Sequence, residues 1–116
     1  MPVLDASAIL NAFPFRFENE QYFTVHEVLD ELKDFRARAI LEAGIASGKL
    51  KVMMPSEEAI TRVDEVSRGM NLSNTDVRVL ALALDLNEEL WTDDFGMIKV
   101  AKKLGIKCKG VLFGRH

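Results

Sequence analysis

Short apolar runs alternate along this chain with longer stretches whose apolar residues recur at helical spacing, and that alternation constrains the fold more than any other feature. Strands alternating with helices imply a parallel sheet covered on both faces, an α/β fold. Residues 2–4 read as a buried strand that ends at Asp5, and residues 7–12 as a short helix. Residues 13–21 are polar and aromatic, broken by Pro14, and read as irregular. Thr24 and Glu27 have the spacing of a capping box, with Val25, Val28, Leu29 and Leu32 at helical period behind them. A second helix runs on through Phe35, Ala39, Ile40, Ala43 and Ile45 to a stop at Gly48. Residues 50–54 form a strand closed by Pro55, and Ser56 caps the helix after it. Ser73 caps another helix, with Asp76 three residues on, and Val77 to Leu86 make that helix apolar almost all round, so it is buried on more than one side. Residues 89–92 are a strand, residues 95–104 a helix ended by Gly105, and residues 106–113 a half-exposed strand.

A length of 116 residues suits one domain with its own core. With 48% hydrophobic and 28% charged residues the chain has the balance of a soluble globular protein. Its longest apolar stretch, residues 79–84, is too short to span a bilayer, and its start lacks the basic and apolar segments of a signal peptide. Cys108 is the only cysteine, which excludes an internal disulfide and a multi-cysteine zinc site within these residues. Cytoplasmic residence is the expectation, with Cys108 as a small buried apolar residue.

In open α/β sheets ligands bind beyond the carboxyl ends of the strands. Asp5 and the Asp93-Asp94 pair stand at two such ends. Asp76 lies in the first turn of the apolar helix, and Glu31 lies on the polar side of an early helix. If these acids converge, each pair at about 4 Å repels by roughly 4 kcal/mol at an effective dielectric near 20. A fold gathers such a set around a counter-charge, and hard oxygen donors suit Mg²⁺ or Mn²⁺. That chemistry can activate water and stabilise the leaving oxygen in phosphodiester hydrolysis. Each acid also has a purely structural reading. Asp76 completes a capping box, one of Asp93 and Asp94 caps the last helix, and Glu31 pairs with Lys33 or Arg36 at the surface. Asp5, directly after an apolar strand, has no solvated face to join. Glu27 rivals Glu31, but the capping box already employs it. His26 and His116 stand in no recognisable nucleophile arrangement.

Net charge is −3, yet its distribution is uneven. Residues 1–98 carry a net −9, whereas residues 99–116 carry +6 from Lys99, Lys102, Lys103, Lys107, Lys109 and Arg115 with no acid among them. A basic end on an acidic body can attract a phosphate backbone, and Lys99, Lys102 and Lys103 are the candidates for RNA contact.

Taken together, Val3-Leu4-Asp5-Ala6-Ser7-Ala8, Val28-Leu29-Asp30-Glu31-Leu32, Leu72-Ser73-Asn74-Thr75-Asp76-Val77 with Val79 to Ala83, and Leu90-Trp91-Thr92-Asp93-Asp94-Phe95 running on to Val100-Ala101-Lys102-Lys103-Leu104-Gly105-Ile106 resemble the four motifs of the PIN-domain nucleases, in the family's order. The resemblance spans nearly the whole chain and implies one PIN domain over residues 1–116, with a three-layer α/β/α fold. It implies an endoribonuclease that depends on Mg²⁺ or Mn²⁺ and cleaves single-stranded RNA. Asp5, Glu31, Asp76 and Asp93 or Asp94 would hold one or two ions directly or through water, with Ser7 and Thr92 orienting them. Residues 25–34 and 72–76 look like the archaeal and eukaryotic branch that trims the 3′ end of small-subunit ribosomal RNA, which implies pre-rRNA or the small subunit as partner. Members of that branch usually carry a zinc ribbon after the domain, and these 116 residues contain none. VapC-type toxins, held by an antitoxin, are the next resemblance, and a PIN-like module that binds RNA or ribosomes without cutting is a third reading. Homodimers are common among such proteins.

Overall fold

The computed structural model of the chain describes residues 1–12 and 21–111. The irregular stretch expected over residues 13–21 falls outside it except for Gln21, as do residues 112–116 with Phe113, Arg115 and His116. Five strands, β1 (Val3–Leu4), β2 (Tyr22–Thr24), β3 (Leu50–Val52), β4 (Leu90–Trp91) and β5 (Cys108–Lys109), form one sheet in the order β3-β2-β1-β4-β5, with every neighbouring pair parallel. Six helices connect them: α1 (Ala6–Ala12), α2 (His26–Glu31), α3 (Phe35–Ala46), α4 (Glu57–Val66), α5 (Asn74–Leu86) and α6 (Phe95–Leu104). Among the described residues, no helix is long and apolar enough to cross a membrane.

The strand order dictates where the helices lie. The chain steps from β1 to β2 to β3 in one direction, then returns past β1 to β4 and β5. Right-handed crossovers put the helices of the two directions on opposite faces. The packing follows suit: α1 packs on α3, while α4, α5 and α6 pack on one another. The core is continuous through the sheet, with Val3, Leu4, Ile9, Leu80 and Leu90 all buried. α5 is the central covering helix, and its Val77, Val79, Leu80, Ala81, Leu82 and Ala83 are all buried, as its apolar sequence requires.

Helix ends carry the expected chemistry. Ser56 and Ser73 accept from Ala59 N and Asp76 N, and Asp34 and Asp94 accept from Ala37 N and Met97 N. Each such cap is worth about 1 kcal/mol. Gly48 and Gly105 close α3 and α6 at φ 77° and 75°, in the left-handed region that favours glycine.

The expected capping box at Thr24 is not formed. Thr24 is the last residue of β2, and its hydroxyl donates to Leu4 O at 2.9 Å, across to β1. Val25 stands at the N-cap of α2 without a side-chain cap. This frees Glu27 from the role that had distinguished it from Glu31, and its carboxylate instead pairs with Arg78 on α5 at 3.2 Å. β3 and β5 are shorter than the runs that suggested them, because pairing stops where the neighbouring strand ends.

The path reverses between β1 and β4. A parallel sheet opens a crevice at such a reversal, outside the carboxyl ends of the two strands. Asp5 leaves β1 there, and Thr92, Asp93 and Asp94 leave β4.

Candidate active site

The reversal opens into a cleft of about 190 Å³ lined by Asp5, Ser7, Glu31, Thr75, Asp76 and Asp94, with Ala6, Val79 and Met97 as its apolar walls. Four helices and two strand ends contribute to it. Thus four of the acids singled out by the sequence face one space.

Asp5 is the deepest, at 7% exposure. Its Oδ1 accepts from Ala8 N at 2.8 Å and from Ser7 Oγ at 3.0 Å, and its Oδ2 accepts from Thr92 Oγ at 2.5 Å. Burial nonetheless pushes its pKa up, against the lowering effect of those three bonds, and Asp76 pushes it further. Asp76 is also raised, first by burial, with the charges of Asp94 and Glu31 adding to it against the bonds from Ser73. The protein therefore holds these carboxylates where ionisation is opposed both by lost solvent and by one another.

Asp76 performs both jobs that its position allows. Its Oδ2 accepts from Ser73 N at 3.2 Å to close the capping box of α5, while the side chain lines the cleft. Asp94 is likewise both N-cap of α6, accepting from Met97 N at 3.0 Å, and a cleft residue. Thr92 is fully buried beneath them. It donates to Asp5 and accepts from Asp94 N at 3.1 Å, tying the β1 end to the β4 end. Glu31, in the last turn of α2, is exposed at the rim.

Asp93 differs from its neighbour. It is absent from the cleft lining, and its Oδ1 accepts from Val111 N at 2.9 Å, beyond β5. Successive side chains at a strand end point to opposite sides, so only one of the pair can face the crevice. Lys99, Lys102 and Lys103 are exposed along α6. At 1.5 Å of rise per residue, the last two stand about 12–14 Å along the helix from Asp94, in its final turn, where cations also complement the helix dipole. Thr75 was not anticipated. Its place two residues after the Ser73 cap, in the same turn as Asp76, is the signal that could have found it.

Among the described residues, no three histidine, cysteine, aspartate or glutamate side chains are gathered into a direct ligand set for one ion. The donors are nonetheless of the right chemistry for a hard dication. All are carboxylate oxygens, they repel one another, and nothing cationic lines the cleft with them. Mg²⁺ needs only one or two direct carboxylates and keeps several waters.

Comparison with known proteins agrees with this geometry. A sequence model described as the PIN domain of ribonuclease matches residues 3–86. The chain is 46% identical over 113 residues to an endoribonuclease Nob1 of Methanocaldococcus jannaschii, covering 96% of this chain and 56% of that protein. It therefore spans little more than half the length of that relative. It is 37% identical over 92 residues to ribonuclease VapC3 of Aeropyrum pernix (72% of this chain, 66% of that one), and 30% identical over 103 residues to the 20S-pre-rRNA D-site endonuclease NOB1 of Saccharomyces cerevisiae (84% and 22%). Its fold is similar to that in the crystal structure of VapBC2 from Rickettsia felis bound to a promoter DNA fragment, with a TM-score of 0.63 at 17% identity, over 94% of this chain and 97% of that one.

Proposed function

The chain belongs to the PIN-domain family of ribonucleases, and from that premise we propose that it is a divalent-metal-dependent endoribonuclease that cleaves single-stranded RNA in the maturation of small-subunit ribosomal RNA. The observation that carries the proposal is the cleft at the β1/β4 reversal, where Asp5, Glu31, Asp76 and Asp94 face one another and burial raises the first and third. Mutual repulsion of that kind is relieved by a dication.

Asp5, Asp76 and Asp94 would hold Mg²⁺ or Mn²⁺, with Glu31 reaching it from the rim. When bound, the ion supplies Lewis-acid stabilisation of the phosphoryl oxygens and a more acidic water. The chain's own residues do the rest. Thr92 and Ser7 fix the Asp5 carboxylate, the Ser73 amide fixes one oxygen of Asp76, and the Met97 amide fixes one oxygen of Asp94. The remaining oxygens are available to orient the attacking water and to accept its proton as it attacks phosphorus in line. Ala6, Val79 and Met97 limit the water that can enter. Asp93 would act as a positioning residue, holding the chain after β5 to the end of β4. Lys99, Lys102 and Lys103 would guide the RNA backbone toward the cleft from α6.

We take residues 1–116 as one PIN domain and place its work in the cytoplasm, with pre-rRNA or the small ribosomal subunit as partner and homodimerisation compatible with it. The Nob1 relatives support the ribosomal reading, one of them at 46% identity. A second reading, a VapC-type toxin controlled by an antitoxin, has the Aeropyrum relative at 37% in its favour. The test is cleavage of short single-stranded RNA by the wild type and Asp5→Asn, in Mn²⁺ and in EDTA. Cleavage confined to the wild type in Mn²⁺ is expected. Equal cleavage by Asp5→Asn would remove the proposal.

A further inference from the structure

A second recess, of about 440 Å³, opens on the same edge of the sheet, beside the end of β3. The α2–α5 seam supplies both spaces: Glu31 and Asp76 line the cleft, while Glu27 and Arg78, four and two residues away on the same helices, line the recess. The Glu27–Arg78 ion pair is thus part of the wall between them, and Asn74 also accepts from the Arg78 guanidinium.

Size separates the roles of the two spaces. Small-molecule sites typically measure about 300–1,000 Å³. The cleft, at about 190 Å³, admits a phosphodiester and water but no base beside them. The recess falls inside the range. Its floor is apolar, formed by Met53, Met54, Pro55 and Ile60, and Met54 is 90% exposed although it is large and apolar. Thioether sulfur packs favourably against aromatic rings, and methionine adapts to their shape. The His26 imidazole offers a flat face at the rim, and Glu57 offers carboxylate oxygens.

We propose that this recess is a nucleobase subsite, which takes one unpaired base of the RNA strand whose phosphodiester lies in the neighbouring cleft; this rests on the ribonuclease reading above. The base stacks on Met54 and His26. Glu57 and Glu27 accept from an exocyclic amine, so adenine, cytosine and guanine fit better than uracil, which has none. A second copy of this chain is a poorer occupant, because the centre of a dimer interface is depleted of charge and this recess has four charged or titratable side chains in its lining.

The experiment uses short single-stranded RNAs carrying 2-aminopurine or an abasic residue at each position in turn, bound to the wild-type chain in EDTA so that no strand is cut. Quenching of 2-aminopurine is expected at one or two adjacent positions. An abasic residue there should weaken binding by about 5- to 150-fold, the usual effect of losing one stacked base. In Met53→Ser/Met54→Ser, and in His26→Ala, the quenching should fade and the abasic penalty should largely vanish, because the partner of the base is already gone. These side chains are exposed, so the fold is expected to survive, and circular dichroism checks it. Quenching and penalty unchanged in both variants would overturn the subsite while leaving the ribonuclease intact. Loss of a dimer by light scattering in Met53→Ser/Met54→Ser, without any change in the abasic penalty, would assign the patch to a second copy and overturn it too. RNA that neither binds nor is cut in Mn²⁺ by the wild type would overturn the ribonuclease reading and the subsite with it.

Discussion

Thr92→Val is the substitution that most sharply probes how the site is held. Thr92 is fully buried, and valine matches its shape, so no cavity opens. What disappears is the hydroxyl that donates to Asp5 Oδ2 at 2.5 Å and accepts from Asp94 N at 3.1 Å. A bond to an ionised group contributes about 1.5–3 kcal/mol and a neutral one about 1 kcal/mol, so the loss is roughly 2–4 kcal/mol. With an unfolding entropy near 2.1 cal/mol/K per residue, that lowers Tm by about 8–16 °C. The same bond lowers the pKa of Asp5, so its removal raises that pKa further. The anion that serves the cleft then forms only at higher pH, and the acid limb of the cleavage profile moves upward. Thr92→Ser, which keeps the hydroxyl, should leave the limb in place. Thermal melts and pH–rate profiles of the two variants decide it. A Thr92→Val protein with an unchanged Tm and an unchanged acid limb would refute this account of the hydroxyl.

Other expectations follow from the same geometry. Burial raises Asp5 above the ordinary 3.8, so the metal-free fold has the stability linked to this group at pH below that value and loses it as pH rises through the folded pKa. Asp5→Asn should therefore melt above the wild type at neutral pH in EDTA, with the gap closing at acid pH; a wild type that melts higher at neutral pH would contradict this sign. A methyl at Gly96 would lie 3.2 Å from Asp94 Oδ1 and 3.5 Å from Leu72 Cδ2. Gly96→Ala should change stability by less than about 1 kcal/mol, helix propensity offsetting the crowding, while cleavage falls severalfold as the carboxylate shifts. Lys102→Glu with Lys103→Glu should weaken RNA binding and reduce its salt slope by about 2, one for each lost phosphate contact; an unchanged slope would remove them from the RNA path.

Much of this architecture was legible because the informative residues sit at element ends. Asp5 after Val3-Leu4, and Asp93-Asp94 after the β4 run, are marked by an abrupt switch from apolar to acidic. The α5 start announces itself through Ser73 and Asp76. Three features were hidden because they depend on partners far away in the chain. Tyr22–Thr24 is too short to show a strand period, and the Thr24 hydroxyl looks locally like a cap until Leu4 O is placed beside it. Glu27 and Glu31 are equivalent on one helix until Arg78 claims the first. Asp93 and Asp94 cannot be told apart until β5 is known to lie beyond β4, with Val111 N in reach of one of them.

The central claim is that four carboxylates share one cleft because a dication belongs among them. Mn²⁺ titration followed by electron paramagnetic resonance tests it directly on the wild type, Asp5→Asn and Asp76→Asn. Binding by the wild type that weakens at least about tenfold in each variant, the scale of loss known for groups supporting a metal site, is the expected result. Equal Mn²⁺ affinity in all three proteins would contradict it.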